Sequence, residues 1–173
     1  MWHANLSDET GVHDRIARHL AVVPSGACPV AVLDIDDSVL LSEELRPNPM
    51  VQRVLRELLR DIPVAYITAR SDSPVARMWT RMQLHMLGAP RGVALHLMPR
   101  DQYALSREGV RAFKHDRRAA LEEQGYTIVL NVGDQWTDFD EVPHAASKAP
   151  CAYYGWHPTA HTLALKLPHR VLR

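Results

Sequence analysis

Four apolar residues, Val30-Ala31-Val32-Leu33, run straight into three carboxylates at Asp34, Asp36 and Asp37. A short apolar run behind a proline reads as a strand covered on both faces, the kind found in parallel sheets. In such sheets ligands sit in the crevice beyond the carboxyl ends of the strands, so Asp34 and Asp36 are expected to point into one. Like charges two positions apart repel, and a hard cation such as Mg²⁺ offsets that repulsion. A bare Asp-x-Asp also suits ordinary capping of the next segment, and the rest of the chain has to decide between the two.

Three further stretches bear on that choice. Pro63-Val-Ala-Tyr-Ile-Thr68-Ala69-Arg70 puts a hydroxyl at the end of a second apolar run. Lys114 supplies a cation where a helical pattern is expected to begin. Thr127-Ile-Val-Leu-Asn-Val132-Gly133-Asp134-Gln-Trp-Thr-Asp138 adds two more acids behind another apolar run. The ordered set Asp-x-Asp, Thr, Lys, Gly-Asp-x-x-x-Asp resembles the four motifs of the haloacid dehalogenase (HAD) superfamily of phosphatases. The stretch from Lys114 to Asp138, with Gly-Asp-Gln-Trp-Thr-Asp its most specific piece, resembles the acid-phosphatase branch of that superfamily, subfamily IIIB. The resemblance runs roughly from residue 30 to 168, where Leu165-Lys-Leu-Pro168 is similar to the close of that branch, and residues 1–29 carry none of it.

The resemblance implies Mg²⁺-dependent phosphomonoester hydrolysis through an aspartyl phosphate on Asp34. It makes Asp36 the proton donor to the leaving group and then the base for water, a role that asks for a pKa raised by neighbouring carboxylates. Its backbone carbonyl would also touch the metal. Mg²⁺ would be held by Asp34 and Asp134, with Asp138 bonding one of its waters. Thr68, Ala69, Arg70 and Lys114 would bind the phosphoryl group, Lys114 also neutralising Asp34. Ser38 stands where the family usually has Thr, and its hydroxyl is expected to keep its local hydrogen bonding. The alternatives are a polynucleotide end-phosphatase and a catalytically silent binding protein that keeps the fold; the presence of Asp34 speaks against the latter.

Strands alternating with helices indicate an α/β fold, a single doubly wound parallel sheet with helices on both faces. About five strands are readable: Val30–Leu33, Pro63–Thr68, Val93–Leu97, Thr127–Gly133 and Ala149–Tyr154. The superfamily's strand order would set the first beside the fourth, bringing Asp34 to Asp134. The helices read as a segment after Ser7-Asp8-Glu9 with Val12, Ile16, His19, Leu20 and Val23 inward, and a second after the Arg46-Pro47-Asn48-Pro49 turn with Met50, Val51, Val54, Leu55, Leu58 and Leu59 inward. A third follows Ser73-Pro74, with Val75, Met78, Trp79, Met82, Met86 and Leu87 expected in the core. A fourth spans Lys114 to Gln124, on which His115, Arg117 and Arg118 are expected to form a solvated basic face. Pro99–Phe113 reads as a loop with a short helix near the site, and Thr159–Leu167 as a short helix or turn.

All 173 residues suit one HAD-like domain, residues 1–29 being an N-terminal helical extension. The intervals 39–67 and 69–113 leave no room for a large cap domain, so the site is expected to be open, to phosphorylated small molecules or polymer ends, or covered by a second protomer in a homodimer. Arg100 and Tyr103 are further candidate substrate contacts. Twenty basic and twenty acidic residues cancel, so no global field draws nucleic acid, which enters only as substrate. No apolar run approaches the ~20 residues of a membrane span. The N-terminus lacks a basic leader and an apolar stretch, which suggests a cytoplasmic protein with Cys28 and Cys151 reduced.

Overall fold

A seven-stranded sheet organises the structure, a computed structural model that describes residues 3–4, 9–90, 92–140, 155–159 and 161–168. Its strands are β1 (His3–Ala4), β2 (Pro29–Leu33), β5 (Val64–Ser71), β6 (Ala94–Met98), β7 (Thr127–Gly133), β8 (Gly155–Pro158) and β9 (Leu163–Lys166); β3 (Leu40–Leu41) and β4 (Arg46–Pro47) form a separate hairpin. The spatial order is β1-β8-β9-β7-β2-β5-β6. The five strands from β9 to β6 are parallel, and β8 and β1 extend the sheet antiparallel. The first strand of the parallel core, β2, lies in its middle beside β7, as the superfamily order requires.

Side chains alternate across the sheet, and both faces are covered. Ala31 and Leu33 face one core with Val12 and Ile16 of α1 (Glu9–Leu20), Val51, Val54 and Leu55 of α2 (Pro49–Glu57), and Leu84 of α3 (Pro74–Met86). Val30 and Val32 face the other core with Phe113 and Leu121 of α4 (Arg107–Glu123). That double burial is why these strands read as unbroken apolar runs. The helices start where capping side chains allow. Asn48 Oδ1 accepts from the Met50 N–H at 3.2 Å, Ser73 Oγ from Ala76 at 3.1 Å and Ser106 Oγ from Gly109 at 3.1 Å.

Several expectations are corrected. Helix α4 begins at Arg107, so Lys114 lies two turns inside it and not at its start. Gly109 in the first turn weakens the helical signal there; it is required because a Cβ would come within 2.1 Å of the Ala104 carbonyl oxygen. The tail is a strand, β9, and Leu163, Leu165 and Leu167 alternate into the core with the period of two that a strand imposes. Arg46-Pro47 pairs with Leu40-Leu41 and is a hairpin arm, not a plain turn. The expected Ser7 cap and the strand Ala149–Tyr154 lie outside the described residues, as does Cys151; Cys28 is exposed. No helix among the described residues is long and apolar enough to cross a membrane.

The apolar stripe of α3 is the largest departure. Val75, Met78, Trp79, Met82 and Met86 are exposed, from 42% for Met82 to 76% for Met86, whereas Thr80, Leu84 and Leu87 are buried. Both stripes have helical spacing, and α3 turns toward the sheet the one carrying Thr80, which holds Arg70. Leu84→Ala should therefore lower stability by about 2–5 kcal/mol. Met78→Ala and Met86→Ala should stay within ~0.5 kcal/mol of the parent. Urea-denaturation midpoints check this, and equal losses at Leu84 and Met86 would refute the assignment of faces.

Candidate functional site

Because β7, β2 and β5 are adjacent and parallel, their carboxyl ends lie side by side. Leu33 pairs with both Tyr66 and Val132, and the Asp34 N–H still donates to the Val132 carbonyl at 3.0 Å. Sheet pairing thus runs up to Asp34 and brings it within one position of Asp134 and Thr68 on the neighbouring strands. After Asp34 the chain turns back: the Leu40 N–H donates to the Ile35 carbonyl at 2.9 Å, and Asp37 takes a φ of 55°, a conformation Asp tolerates better than most residues. Ser38 is fully buried, and no hydrogen bond to its Oγ is found among the described residues, so its hydroxyl does not keep the local bonding expected of it.

On the other side, one turn of 3₁₀ helix, Trp136–Asp138, brings Asp138 back over the end of β7. The approach is so close that a Cβ at Gly133 would lie 2.1 Å from Asp138 Oδ2, which makes glycine obligatory there. Oxygens of Asp34, Asp134 and Asp138, all buried, lie within 4.8 Å of one another. Lys114, 4% exposed, reaches this cluster from α4. Its ammonium donates to Asp34 Oδ1 at 2.7 Å and to Asp138 Oδ1. The second Asp138 oxygen accepts from the Gln135 N–H at 2.8 Å.

The electrostatics follow from this crowding. Burial pushes the Asp34 carboxyl well above the usual carboxylate range; Lys114 pulls it down, and Asp138 and Asp134 push it further up. Asp134 is raised to about 7, first by burial and then by Asp138, with Lys166 and Lys114 opposing. Burial opposes the charge on Lys114, but the Asp138 and Asp34 carboxylates outweigh it and hold the ammonium above its ordinary range. Three carboxylates against Lys114, with Lys166 acting on Asp134, still leave an excess of negative charge, and the donors are hard oxygens at a spacing that suits a small divalent cation. The cluster can therefore hold a divalent metal.

In front of the cluster opens a cavity of about 250 Å³ lined by Asp34, Asp36, Thr68, Ala69, Lys114 and Thr137, with Leu105, Ser106 and Arg107 at the start of α4. Asp36 stands apart from the three clustered acids. Its carboxylate, expected among carboxylate neighbours, faces a guanidinium: Arg70 Nε donates to one oxygen at 2.8 Å and Nη2 to the other at 2.6 Å. The pairing of β5 with β6 shifts register between Thr68 and Ser71, where Arg70 lies. Arg70 also donates to Thr80 Oγ1 at 3.2 Å and Gln83 Oε1 at 2.7 Å, so in this arrangement its guanidinium is engaged by protein groups. Two other candidate contacts are likewise occupied, Arg100 by the Ala69 carbonyl at 2.9 Å and Tyr103 by Asp116 at 2.6 Å.

Sequence reasoning missed three residues around Asp138 and Asp134. Arg118, expected on a solvated face, is only 5% exposed and donates to the Asp138 carbonyl at 2.9 Å. Its position four residues after Lys114, on the same side of one helix, was the available signal. Asn131 donates to the same carbonyl at 2.9 Å from β7. Lys166 of β9 is 3% exposed and lowers the proton affinity of Asp134.

The profile of the HAD superfamily, subfamily IIIB (Acid phosphatase), matches residues 47–169. No curated protein matches the chain. The matched span holds Thr68, Lys114, Asp134 and Asp138 but begins after Asp34, which the sheet independently brings to the same place, and after Asp36, which lines the cavity in front of it. With most of its length matched and those four residues gathered around one buried acidic cluster, the chain belongs to the subfamily IIIB acid phosphatases of the HAD superfamily and is a phosphatase.

Proposed function

We propose that this phosphatase is a Mg²⁺-dependent phosphomonoester hydrolase acting through an aspartyl phosphate on Asp34. The observation that carries the reading is the buried trio of Asp34, Asp134 and Asp138 with Lys114 as the cation bridging two of its members. Asp34 and Asp134 would hold Mg²⁺. Asp138, whose two oxygens already accept from Lys114 and Gln135, suits the outer role of orienting a metal-bound water. When bound, the cation supplies positive charge to the carboxylates and the phosphoryl oxygens.

The remaining chemistry belongs to the chain. An Asp34 oxygen attacks phosphorus, and the bond from phosphorus to the leaving oxygen breaks as that oxygen takes a proton from Asp36, which carries one once its carboxyl has turned from Arg70 to the leaving group. Asp36 then accepts a proton from the water that attacks the acyl phosphate, releasing phosphate and restoring both carboxyl groups. Lys114 neutralises Asp34 and the transferring group, and the Thr68 hydroxyl donates to a phosphoryl oxygen. Before that turn Arg70 holds the Asp36 carboxylate beside the cavity. The substrate is a phosphorylated small molecule or polymer end, held in the cavity that Leu105 and Ser106 help to line.

Asp34→Asn fills the same volume with a poor nucleophile. It should bring hydrolysis of an aryl phosphate below a hundredth of wild type while the circular dichroism spectrum is retained; more residual turnover would rule out the covalent route. Lys114→Met removes a preorganised charge and should cost ~10²–10³ in rate. Because it strands buried carboxylates, it should also lower the melting temperature in EDTA, and Mg²⁺ should recover much of that loss. A melting curve in EDTA that overlays wild type would show that Lys114 does not neutralise the acids.

The raised pKa of Asp134, about 7 against an ordinary 3.8, means that the folded metal-free protein binds more protons than the unfolded chain between these two values. Its contribution to stability is then largest below pH 4 and declines as pH rises toward 7. Calorimetry in EDTA should show the melting temperature falling over the upper part of that window, with the stabilisation by Mg²⁺ growing as it falls. A pH-independent Mg²⁺ effect would contradict this.

A further inference from the structure

We propose that Arg118 is a positioning residue for divalent-cation binding, acting through the main chain of Asp138. Asp138 is gripped at both ends. Its carboxylate is held by Lys114 and the Gln135 N–H, and its carbonyl by Arg118 Nη1 and Asn131 Nδ2, each at 2.9 Å. The second Arg118 amino group donates to Asp140 Oδ1 at 2.6 Å, so one planar guanidinium ties together the residues on either side of Phe139. A single 3₁₀ turn has weak intrinsic stability, and Trp136–Asp138 therefore depends on such external bonds for its place.

The burial pattern fits a positioning role. Lys114 and Arg118 are four residues apart on α4 and both nearly inaccessible; one meets the carboxylate of Asp138 and the other its backbone. Arg118 does not line the catalytic cavity, and it points instead into a separate one of about 220 Å³ formed with His115, Asn131, Asp140 and His157. It thus has no access to substrate, and its effect on the site runs through the placement of Asp138 against Asp34 and Asp134.

This inference rests on the proposed metal site, and the test separates the two. Mg²⁺ binding is measured by titration calorimetry on wild type, Arg118→Met and Arg118→Lys, with melting curves in EDTA and the Mg²⁺ concentration for half-maximal rate alongside. Arg118→Met should weaken Mg²⁺ by ~10–100-fold, as loss of groups that orient metal ligands commonly does. Its rate at saturating Mg²⁺ should recover most of the wild-type value. Arg118→Lys should fall between, since one ammonium cannot serve both the Asp138 carbonyl and Asp140. A lower melting temperature in EDTA with wild-type Mg²⁺ affinity would mean a purely structural role and overturn the inference. If Arg118→Met does not fold, wild-type affinity in Arg118→Lys overturns it equally. Absence of Mg²⁺ binding by wild type would overturn the metal site itself.

Discussion

The ammonium of Lys114, buried between the carboxylates of Asp34 and Asp138, is the interaction on which the rest of the site depends. Asp34, Asp134 and Asp138 are each at most 7% exposed, and an unpaired buried charge is far costlier than an exposed one. One lysine offsets only part of the repulsion among three acids. The raised proton affinities of Asp34 and Asp134 express first the cost of burying them and then the repulsion that Lys114, with Lys166 at Asp134, leaves in place. The same concentration of negative charge suits the cluster to hold a divalent cation.

Neighbouring elements serve that cluster. The parallel order β7-β2-β5 sets three strand ends in a row, and the irregularity after Thr68 falls where Arg70 reaches Asp36. Gly133 leaves room for Asp138, and Arg118 and Asn131 hold its backbone. Helix α4 delivers Lys114 from one face of the sheet, whereas α3, which supports Arg70 through Thr80 and Gln83, shares a core with the other. Both layers thus meet at the catalytic edge. A substitution deep in either core can be expected to reach the site through these supports.

The fold was legible wherever local pattern and global burial agree. Strands β2, β5 and β7 are apolar runs because both of their faces are covered; β2 and β7 end just before Asp34 and Asp134, and β5 carries Thr68 three residues before its end. Period alone misled at α3, where two stripes had helical spacing and only the tertiary arrangement settled which one met the sheet. It also misled at β9, whose alternation of Leu163, Leu165 and Leu167 was there to be read but fell in a segment short enough to pass for a turn. The first turns of α4 were hidden by Gly109, a residue kept for the close approach of Ala104 and poor for helix formation.

For the site, the ordered set Asp-x-Asp, Thr, Lys, Gly-Asp-x-x-x-Asp singled out Asp34, Asp36, Thr68, Lys114, Asp134 and Asp138 as a group through its resemblance to the HAD motifs, although Lys114 proved to lie two turns inside its helix. Sequence by itself determined the chemical inventory and the central strands. Only the tertiary structure decided which charges meet. Asp36 faces Arg70 and not the other acids, Arg118 turns inward to a backbone carbonyl, and Lys166 enters the field of Asp134. The physical reason is that pairing depends on distance and burial, both set by strand order, register and helix phase, and none of these is encoded by the spacing of residues along the chain.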